Sequence, residues 1–196
     1  MVKLNLSSQI VLNKVPEEFY HPKTAVELSE LTRCEKLPTT IFPKTEEGAL
    51  SIATTIANAI RQKQQSGQYC VLGLGTGSSL TPVFNELIRL HKEEKLSFSN
   101  VVVFNAYEYF PLQPSAKNST LNQLKERLLN HIDINPQNVF TLEGTVPQER
   151  VQESCRLYEQ RIQSFGGIDI MLLGIGRIGN ISITEPGSSL TSSSRL

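Results

Sequence analysis

Cysteine is scarce and unpaired in this chain. Three of its 196 residues are cysteine, at positions 34, 70 and 155, and no Cys-x-x-Cys pair occurs. An odd number spread so widely excludes the disulfide framework of a small secreted domain and fits a reducing cytoplasm. No His, Cys and carboxylate spacing suggests a metal site. Net charge is missing too, since nineteen basic and nineteen acidic residues cancel. A chain with no basic surplus lacks the electrostatic footprint of a nucleic-acid or anionic-membrane partner. Charged clusters such as Lys92-Glu93-Glu94-Lys95 are mixed in sign and read as solvated surface. Long apolar runs are also absent. The opening MVKLNLSSQIVLNKVP interrupts its apolar residues with Asn, Ser and Gln, so no signal-peptide core is expected there. No stretch approaches the ~20 apolar residues of a membrane span.

What is present divides near residue 45. Residues 1–45 carry two apolar snatches, Val2–Leu6 and Ile10–Val15, then Pro22, Pro38 and Pro43. Proline interrupts ladders and helices, which predicts an irregular arm with a short helix near Ala25–Cys34. Residues 46–196 read as one α/β domain, long enough for a real hydrophobic core. Thr45 is placed to cap a helix with Glu46 and Glu47 in its first turn, and Ala49, Ile52, Ala53, Ile56 and Ile60 recur at helical spacing. Strands follow at Tyr69–Leu74, Val101–Phe104, Val139–Leu142 and Ile168–Leu173. Between them lie a helix opened by Pro82, with Val83, Leu87 and Leu90 on one face, a helix over Leu121–Leu129, and one striped by Val151, Cys155, Tyr158, Ile162 and Phe165. Strand and helix in alternation mean right-handed crossovers and a parallel sheet with helices on both sides. Ile168–Leu173 is apolar except for Asp169 and reads as a strand covered on both faces.

Three turns follow strand carboxyl ends, where open α/β sheets place their ligands. The first is Gly73-Leu74-Gly75-Thr76-Gly77-Ser78-Ser79. Its glycines let amides approach an anion, a helix amino terminus follows, and Thr76, Ser78 and Ser79 add hydroxyls. It reads as a phosphate cradle or as a plain tight turn. It is neither a Walker loop nor the full dinucleotide fingerprint. The second turn, Phe104–Pro111, holds Tyr107 and Glu108 among aromatic residues. Partial burial there would raise the Glu108 pKa and suit it to acid–base work, while pairing with an Arg is the structural alternative. The third runs from Gly174 through Gly176 and Gly179 to Glu185-Pro186-Gly187. Its Arg177 either neutralises an anion or faces solvent, and Asn180 can orient a hydroxyl or water but transfers no proton near neutral pH.

His21, His91 and His131 lie away from these strand ends, and a structural role is expected for each. No serine stands in a nucleophile elbow, so no Ser-His-Asp triad is proposed. No metal or cofactor is expected.

With the three turns in this order, the sequence resembles the glucosamine-6-phosphate deaminase (isomerase) family, which shares its fold with 6-phosphogluconolactonases. The likeness runs from about Gly48 to Arg195 through LGLGTGSS, VVVFNAYEY, NHIDINPQNV, CRLYEQRIQSFGGIDIMLLGIG and NISITEPGSSLTSSSR. The resemblance implies a three-layer, Rossmann-like α/β sandwich of the NagB type with a mainly parallel sheet. It implies conversion of glucosamine 6-phosphate to fructose 6-phosphate and ammonia, an isomerase-type hydrolysis of a C–N bond without a redox cofactor. A homo-oligomer is a common state of that family. The sugar phosphate would sit at Gly75, Thr76, Gly77, Ser78, Ser79, Gly176 and Arg177, with Tyr107, Glu108, Asn180 and Glu185 in the catalytic positions.

The chain departs from the family at those same positions. The family's F-N-x-D-E-Y reads Phe104-Asn105-Ala106-Tyr107-Glu108-Tyr109, so Tyr107 stands where the proton-abstracting Asp belongs. In the third turn Ile178 replaces an Asp and Asn180 replaces the His that assists ring opening, while Glu185 is kept. The phosphate turn, usually Thr-Gly-Gly-Thr or Thr-Gly-Gly-Ser, is Thr76-Gly77-Ser78-Ser79. Acid–base assistance is worth ~10²–10⁴ in rate per group, so a sugar-phosphate-binding module without the ordinary turnover is the alternative. A lactonase is a weaker third reading, because that branch relies on the same replaced Asp and His. Relatives continue past the point corresponding to Leu196, which implies C-terminal elements missing here. The expectation is a longer polypeptide, or an edge covered by a partner.

Overall fold

The computed structural model describes residues 22–33, 37–176, 178–184, 187–189 and 193–194. His21, Cys34, Arg177 and Glu185 lie outside the described residues.

Contacts divide the chain into two compact units, one to Gly48 and one from Ala49. The first contains helix α1, Ala25–Thr32, where a short helix was expected. Thr24 caps it by accepting the Glu27 N–H at 3.1 Å, and the Glu27 carboxylate accepts the Lys23 N–H at 2.7 Å. This reciprocal use of side chains satisfies donors that a helix start leaves orphaned.

Helix α2 spans Thr45–Gln65, with Thr45 as its first residue and Glu46 and Glu47 in the first turn. Its buried stripe is Ala49, Ala53, Ile56, Ala57 and Ile60. Ile52 was expected on that stripe but is 41% exposed, because it precedes Ala53 by one residue and so turns off the face.

The second unit is built on strands β1 (Cys70–Leu74), β2 (Val101–Asn105), β3 (Val139–Phe140) and β4 (Ile170–Leu172). They form one parallel sheet in the order β3-β2-β1-β4. Leu74 lies opposite Asn105 on one side and Leu172 on the other, so three carboxyl ends finish at one level. The crossovers use α3 (Thr81–Glu94), α4 (Thr120–Arg127) and α5 (Val151–Ser164). Pro82 sits in the first turn of α3 as expected, and Lys95 ends that helix in the left-handed region at φ 57°.

Alternation along the strands separates two cores. Cys70, Leu72, Leu74, Val101 and Val103 face the cluster formed with Ile56, Ile60, Phe84, Leu87 and Leu124 from α2, α3 and α4. Val71, Val102 and Phe104 face the other way, toward Phe140, Tyr158, Ile162 and Phe165. The result is the expected three-layer α/β arrangement. Cys70 and Cys155 are buried, as small core residues.

Two strands differ from expectation. The third is the two-residue Val139–Phe140, half the length of the predicted Val139–Leu142. The fourth is not covered on both faces. Among the described residues β4 pairs only with β1, and its Met171 is 45% exposed. Asp169, the polar exception in that segment, accepts the Val71 N–H at 2.9 Å and donates its own N–H to Val71 O at 2.8 Å. It also pairs with Lys63 at 2.7 Å. No described helix is long and apolar enough to cross a membrane.

Candidate functional site

The chain turns sharply where β1, β2 and β4 end. After β1, Gly75 and Thr76 are buried and Ser78–Leu80 winds one 3-10 turn into α3. After β2, the segment Ala106–Glu108 is half-buried. After β4, Gly174–Thr184 folds back through isolated bridges that pair Ile175 with Ile181 and Ile181 with Thr184.

These loops enclose a cavity of about 230 Å³ lined by Gly75, Gly77, Ser78, Ser79, Tyr107, Gly174, Ile175, Gly176 and Ser182. Six residues singled out in the sequence, Gly75, Gly77, Ser78, Ser79, Tyr107 and Gly176, are thus brought together. Apart from Ile175 and the Tyr107 ring the wall is glycine and serine, whose hydroxyls and backbone groups suit an oxyanion or a polyol. At two glycines the loops pack closely enough that a side chain would have to move to admit a Cβ. A Cβ on Gly174 would come 2.7 Å from Ser79 Oγ, and one on Gly176 would come 2.1 Å from Asn180 Oδ1.

Thr76 lies beneath this wall, 4% exposed. Its hydroxyl is 3.1 Å from the Tyr107 hydroxyl, and its carbonyl accepts Arg127 Nη1–H at 2.7 Å. Arg127, half-buried in the last turn of α4, was not singled out in the sequence. The signal available was a basic residue at the carboxyl end of the helix that follows the second turn.

Glu108 does something other than expected. Its carboxylate accepts the Thr120 N–H at 2.9 Å, the Ser119 hydroxyl at 2.7 Å, the Tyr109 N–H at 2.9 Å and the Leu121 N–H at 3.2 Å. Burial works to raise its pKa, but these donors outweigh it and hold the carboxyl below its ordinary value. The expected upward shift is reversed, and among the described residues no Arg pairs with the carboxylate. Glu108 is the anion at the amino terminus of α4, where orphan N–H groups and the helix dipole favour negative charge.

Asn105, at the end of β2, braces the same region. Its Nδ2 donates to Thr120 Oγ1 at 2.8 Å, and its carbonyl accepts the Tyr158 hydroxyl at 2.7 Å. Thr120 donates its hydroxyl to the Tyr107 carbonyl. Asn180 packs beside Gly176 and does not line the cavity; its Nδ2 donates to Ser182 O at 2.6 Å, and its carbonyl accepts the Gly176 N–H at 2.7 Å. Its visible work is to shape the loop. Ile178 is 72% exposed. Arg177 and Glu185, named for this site, fall outside the described residues.

The two described histidines serve structure. His91 Nδ1 is 2.7 Å from Leu96 O, and His131 Nε2 is 2.9 Å from Glu126 O. Among the described residues no group of three or more His, Cys, Asp or Glu is arranged to hold a metal. A larger hollow of about 720 Å³ runs along α5 past Cys155, Arg156 and Glu159 to Ser193 and Ser194. It gathers no strand ends, so the smaller cavity is the better candidate.

The model of the family described as glucosamine-6-phosphate isomerases/6-phosphogluconolactonase matches residues 43–181. The chain is 58% identical over its whole length to a Bacteroides thetaiotaomicron protein named provisionally as glucosamine-6-phosphate deaminase-like, of which it spans 29%. It is 42% identical over 153 residues to glucosamine-6-phosphate deaminase 2 of Giardia intestinalis, covering 78% of this chain and 56% of that one. The solved structure of a monomeric glucosamine-6-phosphate deaminase aligns with TM-score 0.70 and 38% identity, over 76% of this chain and 59% of that one. The chain thus spans less than two thirds of each of these relatives.

Proposed function

We propose that this chain, which belongs to the glucosamine-6-phosphate isomerase/6-phosphogluconolactonase family, binds an amino-sugar phosphate in the cavity between its three loops. The reaction we assign is that of a glucosamine-6-phosphate deaminase, giving fructose 6-phosphate and ammonia. The observation that carries the reading is the cavity wall. Gly77, Ser78 and Ser79 line it next to the amino terminus of α3, and the two serine hydroxyls suit a phosphate; the Gly75 N–H is taken by Leu172 O at 3.0 Å, so Gly75 contributes only its closeness. Tyr107 and the Gly174–Gly176 loop then border the sugar.

The observations at Tyr107, Glu108 and Asn180 favour a second reading, sugar-phosphate binding without deaminase turnover. Tyr107 stands where the family abstracts a proton, and a phenol is not the carboxylate base that the step uses. The Glu108 carboxylate is engaged at α4, and Asn180 shapes its own loop. We extend the proposal to a cytoplasmic setting and to a homo-oligomer or a place within a longer polypeptide, which light scattering of the native protein tests.

The deciding experiment measures ammonia release and calorimetric binding together. Release from glucosamine 6-phosphate above a Glu108→Gln plus Glu185→Gln control supports the deaminase. Micromolar binding without release supports the second reading. No binding of glucosamine 6-phosphate or fructose 6-phosphate removes both.

A further inference from the structure

We propose that Arg127 is a positioning residue that fixes the peptide between Thr76 and Gly77 for anion binding. The inference rests on the sugar-phosphate reading for its ligand, but its geometry stands apart from it.

A peptide is planar and trans, so its C=O and N–H point in opposite directions. Arg127 Nη1 holds the Thr76 carbonyl at 2.7 Å. The Gly77 N–H of that same peptide is thereby turned away from Arg127, and Gly77 itself lines the cavity. Gly77 has φ −55° and ψ 147°, an extended conformation. A glycine-flanked peptide can turn over easily unless one end is held. Here the carbonyl is held by a charged donor, the stronger kind of hydrogen bond.

Thr76 is gripped a second time through its hydroxyl, 3.1 Å from that of Tyr107. Both grips lead back to α4. Arg127 is in its last turn, and Tyr107 adjoins Glu108, which accepts the Thr120 and Leu121 N–H groups and the Ser119 hydroxyl at the start of that helix. One short helix therefore spans the second turn at its amino end and the first turn at its carboxyl end. Arg127 contacts the loop from behind and does not line the cavity, so its role is to orient an N–H donor rather than to touch the ligand.

The test compares Arg127→Met and Arg127→Lys with the unaltered chain. Calorimetry with glucosamine 6-phosphate and with unphosphorylated glucosamine reads binding, and NMR order parameters of residues 76–79 read the loop. Arg127→Met is expected to weaken glucosamine 6-phosphate binding about tenfold to a hundredfold, with Arg127→Lys restoring most of the loss. Glucosamine binding should stay within about twofold, because only the phosphate donor is disturbed. The order parameters at residues 76–79 should fall while those of β1 and β2 hold. An unchanged loop in Arg127→Met overturns the inference, as does sugar-phosphate affinity within about twofold of the parent. If the unaltered chain binds no sugar phosphate, the functional reading fails, and the order parameters alone decide the role of Arg127.

Discussion

Glu108 and Thr120 clasp each other across a turn. The Thr120 N–H donates to the Glu108 carboxylate at 2.9 Å, while the Thr120 hydroxyl returns to the carbonyl of Tyr107, the residue just before Glu108. A side chain expected to do acid–base chemistry is thus the anchor on which α4 begins. Its protonation state becomes a matter of stability.

Replacing Glu108 with Gln should cost about 1–2 kcal/mol in urea unfolding near neutral pH, the usual value of a lost helix cap. The pH dependence has a definite sign. Glu108 has a depressed folded pKa, so its contribution is present above the unfolded carboxyl pKa and is lost as pH falls through the folded value. The gap between parent and Glu108→Gln should narrow on acidification. A gap that stays constant from neutral to acid pH would show that the carboxylate does not cap α4.

Two glycine substitutions should rank opposite to their nominal clashes. A Cβ on Gly73 would lie 1.9 Å from Met171 Sδ, yet that side chain is flexible and 45% exposed. A Cβ on Gly144 would lie 2.6 Å from the Leu112 carbonyl oxygen and 2.7 Å from that of Tyr109, which are main chain. Gly144→Ala is expected to cost about 1–3 kcal/mol and Gly73→Ala distinctly less, measured by thermal or urea unfolding.

Cys70 and Cys155 should resist thiol reagents until the protein unfolds. Burial, with Asp169 nearby, pushes the Cys70 thiol up to about 11, and burial beside Glu159 raises that of Cys155. The thiolate is the reactive form, so labelling at pH 8 should follow the unfolding curve, with peptide mass spectrometry reporting each site. Prompt labelling of Cys70 in the folded protein would mean that β1 opens locally.

The Lys63–Asp169 ion pair and the Asp169–Val71 hydrogen bond should separate by mutation. Lys63→Met removes a partly exposed pair worth about 0.2–1 kcal/mol, a loss that shrinks with added salt. Asp169→Ala also strands the Val71 N–H and should cost about 1–3 kcal/mol, with less salt dependence. Equal costs for the two would deny the hydrogen bond its separate role.

Much of this was legible from periodicity. β1 and β2 are buried at every position, and the apolar stripes of α3 and α5 meet the sheet on opposite faces, so spacing alone located them. Ile168–Leu173 misled because an apolar run shows what a strand prefers and not how many neighbours it has; Met171 is exposed at an edge. The positions of Gly75, Gly77, Tyr107 and Gly176 followed from strand ends. What Glu108 bonds did not, because Ser119 and Thr120 are brought to it by the tertiary path of the chain between β2 and α4. Arg127 was hidden for the same reason, its partner Thr76 lying 51 residues away.

The hydrogen bond from Val71 to Asp169 joins residues 98 apart. On a ribosome adding amino acids at about 5–20 per second, that separation is about 5–20 s of synthesis. β2 emerges within that interval, but the other edge of β1 has no partner until Asp169 and β4 arrive. An unpaired edge of Val, Leu and Cys is a surface that chaperones hold and aggregates recruit. The strand at the centre of the β3-β2-β1-β4 sheet is the first to be made and the last to gain its second neighbour.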